Sequence, residues 1–434
     1  MSTRRTLYSL ALIAIVVLLV RGVVFQVYSP DDKGGDAPDR WLTIARNVVS
    51  GQGYALSTYG LADSPRPTAL RGPTVVYFFA AVLWLFGDHL WVIVAAQWMV
   101  DVGTSIVLFF IALEIFRDRR VAFVASLLFA LYAPGFIFSF RAMSEPVSVL
   151  VLASFTLSFL RALRQPSTWR FALCGALLGL VVLARPVMQF YSLLALPLLG
   201  WMLSWRWRQA LSSFVVLFAA FAAVMMPWVV RNYLVFDAFI PGSTQKGKPL
   251  YQSHFALGQP DYLSRQGTDK SGTALRQVLE SHFGPAPDSP TIWTYAKAKG
   301  INEVELDHIA LQEAKEIIRA FPGRYVVLSL VRVLRFWFHH RVIQFVMSGG
   351  RMKTPKVVLT AVVNATLLGL ALAGLVRFRG TWLRPAMPLI VLIVYHTVIY
   401  AATHAIGRYS VPIMPYVMVL AAYTLVNLLP GTNE

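Results

Sequence analysis

Asp36 and Asp39 stand just before a helical stripe. In GDAPDRWLTIARNVVSGQGY (35–54), Trp41, Ile44, Ala45, Val48 and Val49 recur at i, i+3, i+4, i+7 and i+8, with Arg46 and Asn47 off that line. One apolar face over so short a run predicts a helix lying in the plane of the membrane headgroups. An aspartate there is held against the membrane surface, where a general base acting on a membrane-borne substrate has to be. The same acids would serve as solvated loop residues or helix caps. Glu145, followed by Pro146, reads either as a first-turn cap or as an acid that positions a reactant or supports such a base. Six arginines, Arg71, Arg185, Arg231, Arg332, Arg335 and Arg408, have the planar, always-charged fork that suits phosphate oxygens. Each could equally be a side chain snorkelling at a membrane interface. His404 is a further candidate. His339 and His340 are adjacent, so on a helix their rings point apart, and no histidine pair has metal-ligand spacing with an acid. No protein-held metal is expected, although a divalent ion arriving with a phosphate is compatible with these residues. Cys174 reads as a small packing residue. No glycine fingerprint for a nucleotide follows a predicted strand.

The elements that must position these residues are apolar runs. The chain has 434 residues, 57% hydrophobic and 14% charged. A soluble domain carries about 25% charged residues, and this much apolar sequence would fill roughly ten spans of ~20 residues. Soluble enzymes and disordered chains are excluded, and a single cysteine excludes a disulfide-stapled fold. The formal net charge of +18 is compatible with nucleic acid in principle, but its placement argues against such a partner. Arginines cluster in short gaps between apolar runs, at 4–5, 117–120, 161–170, 206–208 and 377–384, which is the positive-inside pattern. Fifteen of the 21 acids fall in just two loops, 28–73 and 232–321, which that pattern places outside.

Spans are therefore expected at 7–27, 91–116, 121–139, 147–162, 171–185, 187–204, 211–230, 356–376, 385–403 and 411–429. The run 74–86 is too short for a ~30 Å hydrocarbon core and is read as interfacial or re-entrant. The run 322–347 carries Arg332 and Arg335 near its middle, so it lies at the interface or faces a polar cavity. Asp101 lies some ten residues into its span, a depth at which an acid must be paired or face a cavity. It and His396 are read as structural. In 232–321 a stripe of Leu306, Ile309, Ala310, Ala314, Ile317 and Ile318 predicts one amphipathic helix in a small lid. Three sections result: 1–231, holding most of the spans and the first outer loop; 232–321, an outer subdomain; and 322–434, an interfacial helix with further spans.

Several stretches resemble, in order, the GT-C membrane glycosyltransferases of the lipid-A aminoarabinose transferase and protein O-mannosyltransferase group. They are 35–54, with its aspartates, aromatic and GQGY end; TALRGPTVVY (68–77), before a Pro-started helix; MSEP (143–146); PWVVRNYLVF (227–236); and HAIGRYSVPIMPY (404–416). LARP (183–186) is a weaker match. The family aspartate usually stands four residues before the aromatic, whereas Asp36 stands five before Trp41 and Asp39 two before it, so both remain candidates. The family's Asp-Glu pair is absent.

The resemblance implies an all-α polytopic fold, a GT-C-like bundle of about 10–12 membrane helices with juxtamembrane helices in the first outer loop. It implies a sugar donor on a polyprenyl phosphate, and single displacement with inversion at the anomeric carbon. The acceptor would be a glycan, lipid or protein at the outer face of the plasma (inner) membrane. Asp36 or Asp39 would be the base and Glu145 would support it or position the acceptor. The arginines, with Arg71 and Arg408 foremost because they sit in matching motifs, would hold the phosphate. Tyr54 and Tyr409, from the same motifs, join His404 as further site candidates. The rival readings are a transporter or flippase of lipid-linked sugars, which should show a two-fold repeat and midplane charges, and a non-catalytic envelope scaffold. No matching halves are evident.

Overall fold

The computed structural model describes residues 3–27, 40–57, 64–202, 206–263, 268–286, 288–289, 291–338, 355–377, 380 and 382–428. Asp36, Asp39, His339 and His340 lie outside the described residues.

The first helices are α1 (Thr3–Val27) and the short α2 (Trp41–Val49). A two-stranded antiparallel ribbon follows, β1 (Ala55–Leu56) with β2 (Arg66–Pro67), pairing Ala55 with Pro67. Next come α3 (Pro73–Phe86), α4 (Leu90–Phe116), α5 (Arg119–Leu131) and α6 (Ala133–Phe136), which runs on as a 3-10 turn to Phe140. Then follow α7 (Glu145–Arg164), α8 (Thr168–Ala184), α9 (Tyr191–Met202) and α10 (Trp207–Phe236). Beyond these lie α11 (Gly247–His254), α12 (Thr268–Phe283), α13 (Ile292–Ala298), α14 (Glu303–Ala320) and α15 (Pro322–Trp337). The chain closes with α16 (Pro355–Arg377), α17 (Leu383–Ala402) and α18 (Met414–Leu428).

Six of these helices (α1, α4, α7, α10, α16 and α17) are long and apolar enough to cross a membrane. Four shorter apolar helices accompany them, Pro73–Phe86, Thr168–Ala184, Pro186–Met202 and Met414–Leu428. The bundle runs α10, α8, α7, α4, α5, α18, α16, each packed on the next. Its centre is α7, whose apolar window is 67% buried, against 17% for α1 at the rim. Leu7, Leu12, Ile15, Leu19 and Val23 of α1 point outward, as a lipid-facing helix requires. The multi-pass helical membrane fold expected from the sequence is the one observed, with the short β1–β2 ribbon as its one sheet among the described residues.

The continuous span expected at 121–139 is instead broken, with a 55° bend between Arg119–Leu131 and Ala133–Phe140. Pro134 explains it. Its ring would clash with the carbonyl of Ala130 four residues back, and it has no N–H to bond that oxygen. Arg21 on α1 satisfies the freed carbonyl instead, Nη1 donating to the Ala130 oxygen at 2.6 Å. The same guanidinium donates from Nε to Asp101 Oδ2 on α4 at 3.0 Å and lies 4.6 Å from the Phe136 ring. Asp101 is thus a paired structural acid. His396 is also buried, its Nδ1 donating to the Leu392 oxygen at 3.0 Å one turn back.

The 232–321 section forms a small second core of its own, in which Tyr251, Leu275, Leu279, Tyr295, Leu306 and Ala310 are buried together. The stripe predicted on α14 is real, with Leu306, Ala310 and Ala314 buried and Ile309 and Ile317 packed beside them. α15 is inside-out for a water-facing helix. Arg332 and Arg335 are 1% and 6% exposed, whereas Val326, Leu330 and Leu334 are 56%, 65% and 49% exposed. Such a helix suits an interfacial position, apolar face to lipid and arginines to protein.

Candidate active site

Two neighbouring cavities open where the 40–72 and 243–250 loops meet the helix ends. The larger, about 420 Å³, lies between the 70–72 loop, the 185–190 turn, the 243–250 stretch and the 399–409 connection. Its charged lining residues are Arg71, Arg185, Lys246 and Arg408, with no acid among the described residues of its wall. Trp41, Tyr400, His404 and Tyr409 add rings, and Val187, Phe190, Leu250 and Ile399 make one side apolar.

The positions follow from local sequence. Pro73 starts α3 at a first-turn position, where its missing N–H costs nothing. Gly72 precedes it because a Cβ there would stand 2.0 Å from the Leu183 carbonyl oxygen, so only glycine lets α3 start against the end of α8. That contact sets Arg71 next to Arg185, the residue that ends α8. Glu145 opens α7, 1% exposed, and its Oε1 accepts from Arg185 Nη2 at 3.0 Å and from Arg408 Nε, while Oε2 accepts from Arg408 Nη2 at 3.3 Å. A carboxylate between two guanidiniums fixes both forks. The MSEP, LARP and HAIGRY stretches, far apart in sequence, meet at this one ion cluster.

Arg71 donates to Gln245 Oε1 at 2.5 Å and stacks 5.5 Å from the Trp41 ring, while its backbone oxygen accepts from the Tyr54 hydroxyl at 2.8 Å. Burial raises the Tyr54 hydroxyl pKa well above its usual value, so it stays protonated as a donor. Tyr409 stacks on Tyr400 at 4.8 Å and edges against His404 at 5.7 Å. His404 Nδ1 pairs with the Ser253 hydroxyl; burial, then the charge of Arg332, pushes its pKa down to about 4, so the ring is neutral at physiological pH.

The other three candidate arginines bind protein backbone. Arg231 Nη1 donates to the Thr68 oxygen and Nη2 to the Tyr54 oxygen, at 2.8 and 2.9 Å, with its cation over the Trp228 ring at 5.1 Å. Arg332 donates to His254 Nε2 at 2.8 Å and to the Ser253 oxygen, and Arg335 to the Leu263 oxygen at 2.6 Å. His254 accepts at Nε2 because its Nδ1–H donates to the Leu250 oxygen at 2.7 Å. These arginines do not line the larger cavity.

The second cavity, about 270 Å³, shares Leu70, Arg71 and Gln245 with the first. Its other walls come from the ribbon, α13 and the start of α14. Glu303 ties these parts together, accepting from Ala69 N at 2.6 Å, Thr68 Oγ1 at 2.7 Å and Thr244 Oγ1 at 3.1 Å. Burial raises its pKa, and those three donors pull it back. Across from it, Asp307 Oδ1 accepts from the backbone N–H of Lys246, Gly247 and Lys248 at 3.1, 2.8 and 3.1 Å, capping α11. Gly247 fits there because a Cβ would lie 1.8 Å from the Asp307 carbonyl oxygen. Sequence reasoning missed Gln245, Lys246, Lys248 and Glu303. The signal was the QKGK run at 245–248, two cations in a loop read as near-neutral overall.

A third cavity, about 490 Å³, lies at the opposite end of α7, lined by Glu114, Arg161, Arg164 and Arg170. Arg161 and Arg164 both pair with Glu114, at 3.3 and 2.7 Å. Among the described residues no group of three or more His, Cys, Asp or Glu side chains could hold a metal ion.

Residues 67–230 match the family model for dolichyl-phosphate-mannose-protein mannosyltransferase. The match takes in the Arg71 loop, Glu145 and Arg185, and stops before the 232–321 section. No curated protein matches the chain in sequence. Among solved structures the chain is similar to the oligosaccharyltransferase AglB from Archaeoglobus fulgidus in complex with an inhibitory peptide and a dolichol-phosphate. The TM-score is 0.57 at 15% identity, over 99% of this chain and 52% of that one. An Archaeoglobus fulgidus oligosaccharyltransferase tethered to an acceptor peptide aligns at TM-score 0.58 and 14% identity, over 98% and 50%. ArnT from Cupriavidus metallidurans bound to undecaprenyl phosphate aligns at 0.40 and 17% identity, over 98% and 78%. The chain spans about half the length of the oligosaccharyltransferases it matches. It has their GT-C membrane fold, as the resemblance implied.

Proposed function

We propose that this GT-C chain is an integral-membrane glycosyltransferase. It moves a sugar from a polyprenyl-phosphate carrier to an acceptor at the extracytoplasmic face of the plasma membrane. The observation that carries this reading is the cavity whose charged lining is Arg71, Arg185, Lys246 and Arg408, with an apolar side at Val187 and Phe190. Such a wall suits a phosphate at its basic side and an isoprenoid chain at its apolar side. The family match over 67–230 supports the reaction class.

In this reading Asp36 or Asp39, five and two residues before Trp41, takes the proton of the acceptor hydroxyl or amine. The acceptor atom bonds to the anomeric carbon from the face opposite the phosphate. The carbon–oxygen bond to the phosphate breaks, and its electron pair stays on the departing phosphate, so the sugar inverts. Arg71, Arg408 and Lys246 stabilise the charge growing on that phosphate. Glu145 acts as the residue that orients Arg185 and Arg408. Arg231, Arg332 and Arg335 hold the outer loops in place. A divalent ion, where the reaction uses one, enters with the substrate phosphate.

A transporter would need a charged group free at the midplane; Asp101 is instead closed off by Arg21. Purified protein in vesicles with pentose- and hexose-charged undecaprenyl phosphates, together with a mixture of glycan, lipid and peptide acceptors, tests the choice. Release of undecaprenyl phosphate with one of these sugars is expected, at least ~100-fold slower in the Asp36→Asn or the Asp39→Asn variant. Movement of the intact lipid-linked sugar across the bilayer without release would overturn the reading.

A further inference from the structure

We propose that the second outer cavity is an acceptor subsite built for an anionic group, a phosphate or a carboxylate carried on a sugar. The inference rests on the glycosyltransferase reading and adds the class of acceptor.

The cavity's charge is lopsided. Arg40, Arg66, Arg71, Lys248 and Lys297 line it, and Glu303 is its one lining acid among the described residues. Both Glu303 oxygens face the Thr68–Ala69 turn and Thr244, whose donors they accept. Five cationic side chains and one acid among the described residues border about 270 Å³, a lining whose composition suits an anionic ligand. Burial, then the neighbouring charge of Arg71, already pushes the Lys248 ammonium down to about 8. An anion would relieve that repulsion.

The cavity also has a face for a ring. Trp293, half-buried on α13, lines it, with Lys248 Nζ 4.2 Å from the centre of its ring, and Asn302 and Ser57 add polar edges. A half-buried indole beside hydrogen-bonding side chains suits the apolar face of a pyranose. The location suits an acceptor, because Arg71 and its bond to Gln245 form the wall between this cavity and the one assigned to the donor phosphate. A group held here presents its neighbouring hydroxyl or amine across that wall. Lys248, Trp293, Lys297 and Glu303 all lie beyond the matched residues 67–230, in the section added to the shared membrane part.

The test uses the full chain in nanodiscs and four probes: glucosamine 6-phosphate, glucuronic acid, glucose and undecaprenyl phosphate. Binding is measured for the wild type, the Lys248→Gln/Lys297→Gln pair and Trp293→Ala. The wild type is expected to bind the sugar phosphate or the uronic acid, and which one binds more tightly identifies the anion. The double variant should weaken that binding by about tenfold or more, since each lost charge-assisted contact matters at this scale. Trp293→Ala should weaken it by about tenfold. Undecaprenyl phosphate binding should stay within twofold in both variants, which also shows that they fold. Equal binding of glucose, unchanged binding in the double variant, or no binding of either anionic sugar would overturn the subsite. Wild type that binds the anionic sugar but not undecaprenyl phosphate would overturn the glycosyltransferase reading, and the acceptor role with it, while leaving an anion site. An acidic peptide displacing the sugar phosphate more strongly than glucuronic acid would overturn the carbohydrate class.

Discussion

Glu145 decides the geometry of two arginines at once. Its carboxylate is buried and its pairs with Arg185 and Arg408 are held where water screens little, so removing it strands two cations. Glu145→Ala should lower stability by about 3 kcal/mol, read by thermal or denaturant unfolding in detergent. Glu145→Gln should lose less, because an amide oxygen still accepts from one fork. Equal stability of wild type and Glu145→Ala would contradict the ion cluster. Lys248 gives the pH prediction. Its folded-state pKa lies below the ordinary lysine value, at about 8, so the ammonium is lost as pH rises through 8. The charged groups acting on it are Arg71 and Asp307, and its ammonium stands over the Trp293 ring. Binding an anion favours the charged form, so glucosamine 6-phosphate should bind progressively more weakly from pH 7 to pH 9. In Lys248→Arg, always charged, that slope should flatten. A slope that persists in the arginine variant would assign the titration elsewhere.

The helices set these residues by close approach at glycine and by breaks at proline. Gly72→Ala would drive a methyl into the Leu183 carbonyl, so α3 must move off α8 and Arg71 with it. The expected cost is several kcal/mol, on the order of 3 or more, together with loss of undecaprenyl phosphate binding. An alanine variant of wild-type stability would refute the contact. Much of this layer was legible in the sequence. The Trp41–Val49 and α14 stripes came from periodicity, the protein-facing arginines of α15 from charge, and the Pro73 start from the family resemblance. The break at Tyr132 was not read, although Pro134 carried it, because the surrounding run is apolar on both sides and hydropathy does not register a missing N–H. Arg21 was hidden for a related reason. It sits near the end of an apolar run and looks like an interfacial arginine, whereas its partners, Asp101 and the Ala130 oxygen, are 80 and 109 residues away.

At the scale of the whole molecule, the two cavities proposed for the chemistry lie at one end of the bundle, and the Arg21–Asp101 pair is buried between helices. Arg21 and Asp101 should therefore behave as a closed pair. Arg21→Met and Asp101→Leu should each destabilise by about 3 kcal/mol, and the double variant should recover much of that loss. Transfer activity in the folded double variant should persist; its loss would instead give the pair a functional role. The candidate site was legible in part. Arg71, Arg185 and Arg408, named from stretches that resemble family motifs, line one cavity together. Three more candidate arginines turned out to bind carbonyls of distant loops, which only tertiary structure reveals. The basic second cavity was invisible because its lysines are spread over 248–297 and their acids cancel them in any sum.

The most direct test of the account is a structure of the full chain with undecaprenyl phosphate bound. The account predicts phosphate density within hydrogen-bonding distance of Arg71 and Arg408, with the lipid leaving past Val187 and Phe190. Phosphate at the opposite end of α7, beside Arg161, Arg164 and Arg170, or anywhere outside the cavity lined by Arg71 and Arg408, would contradict it.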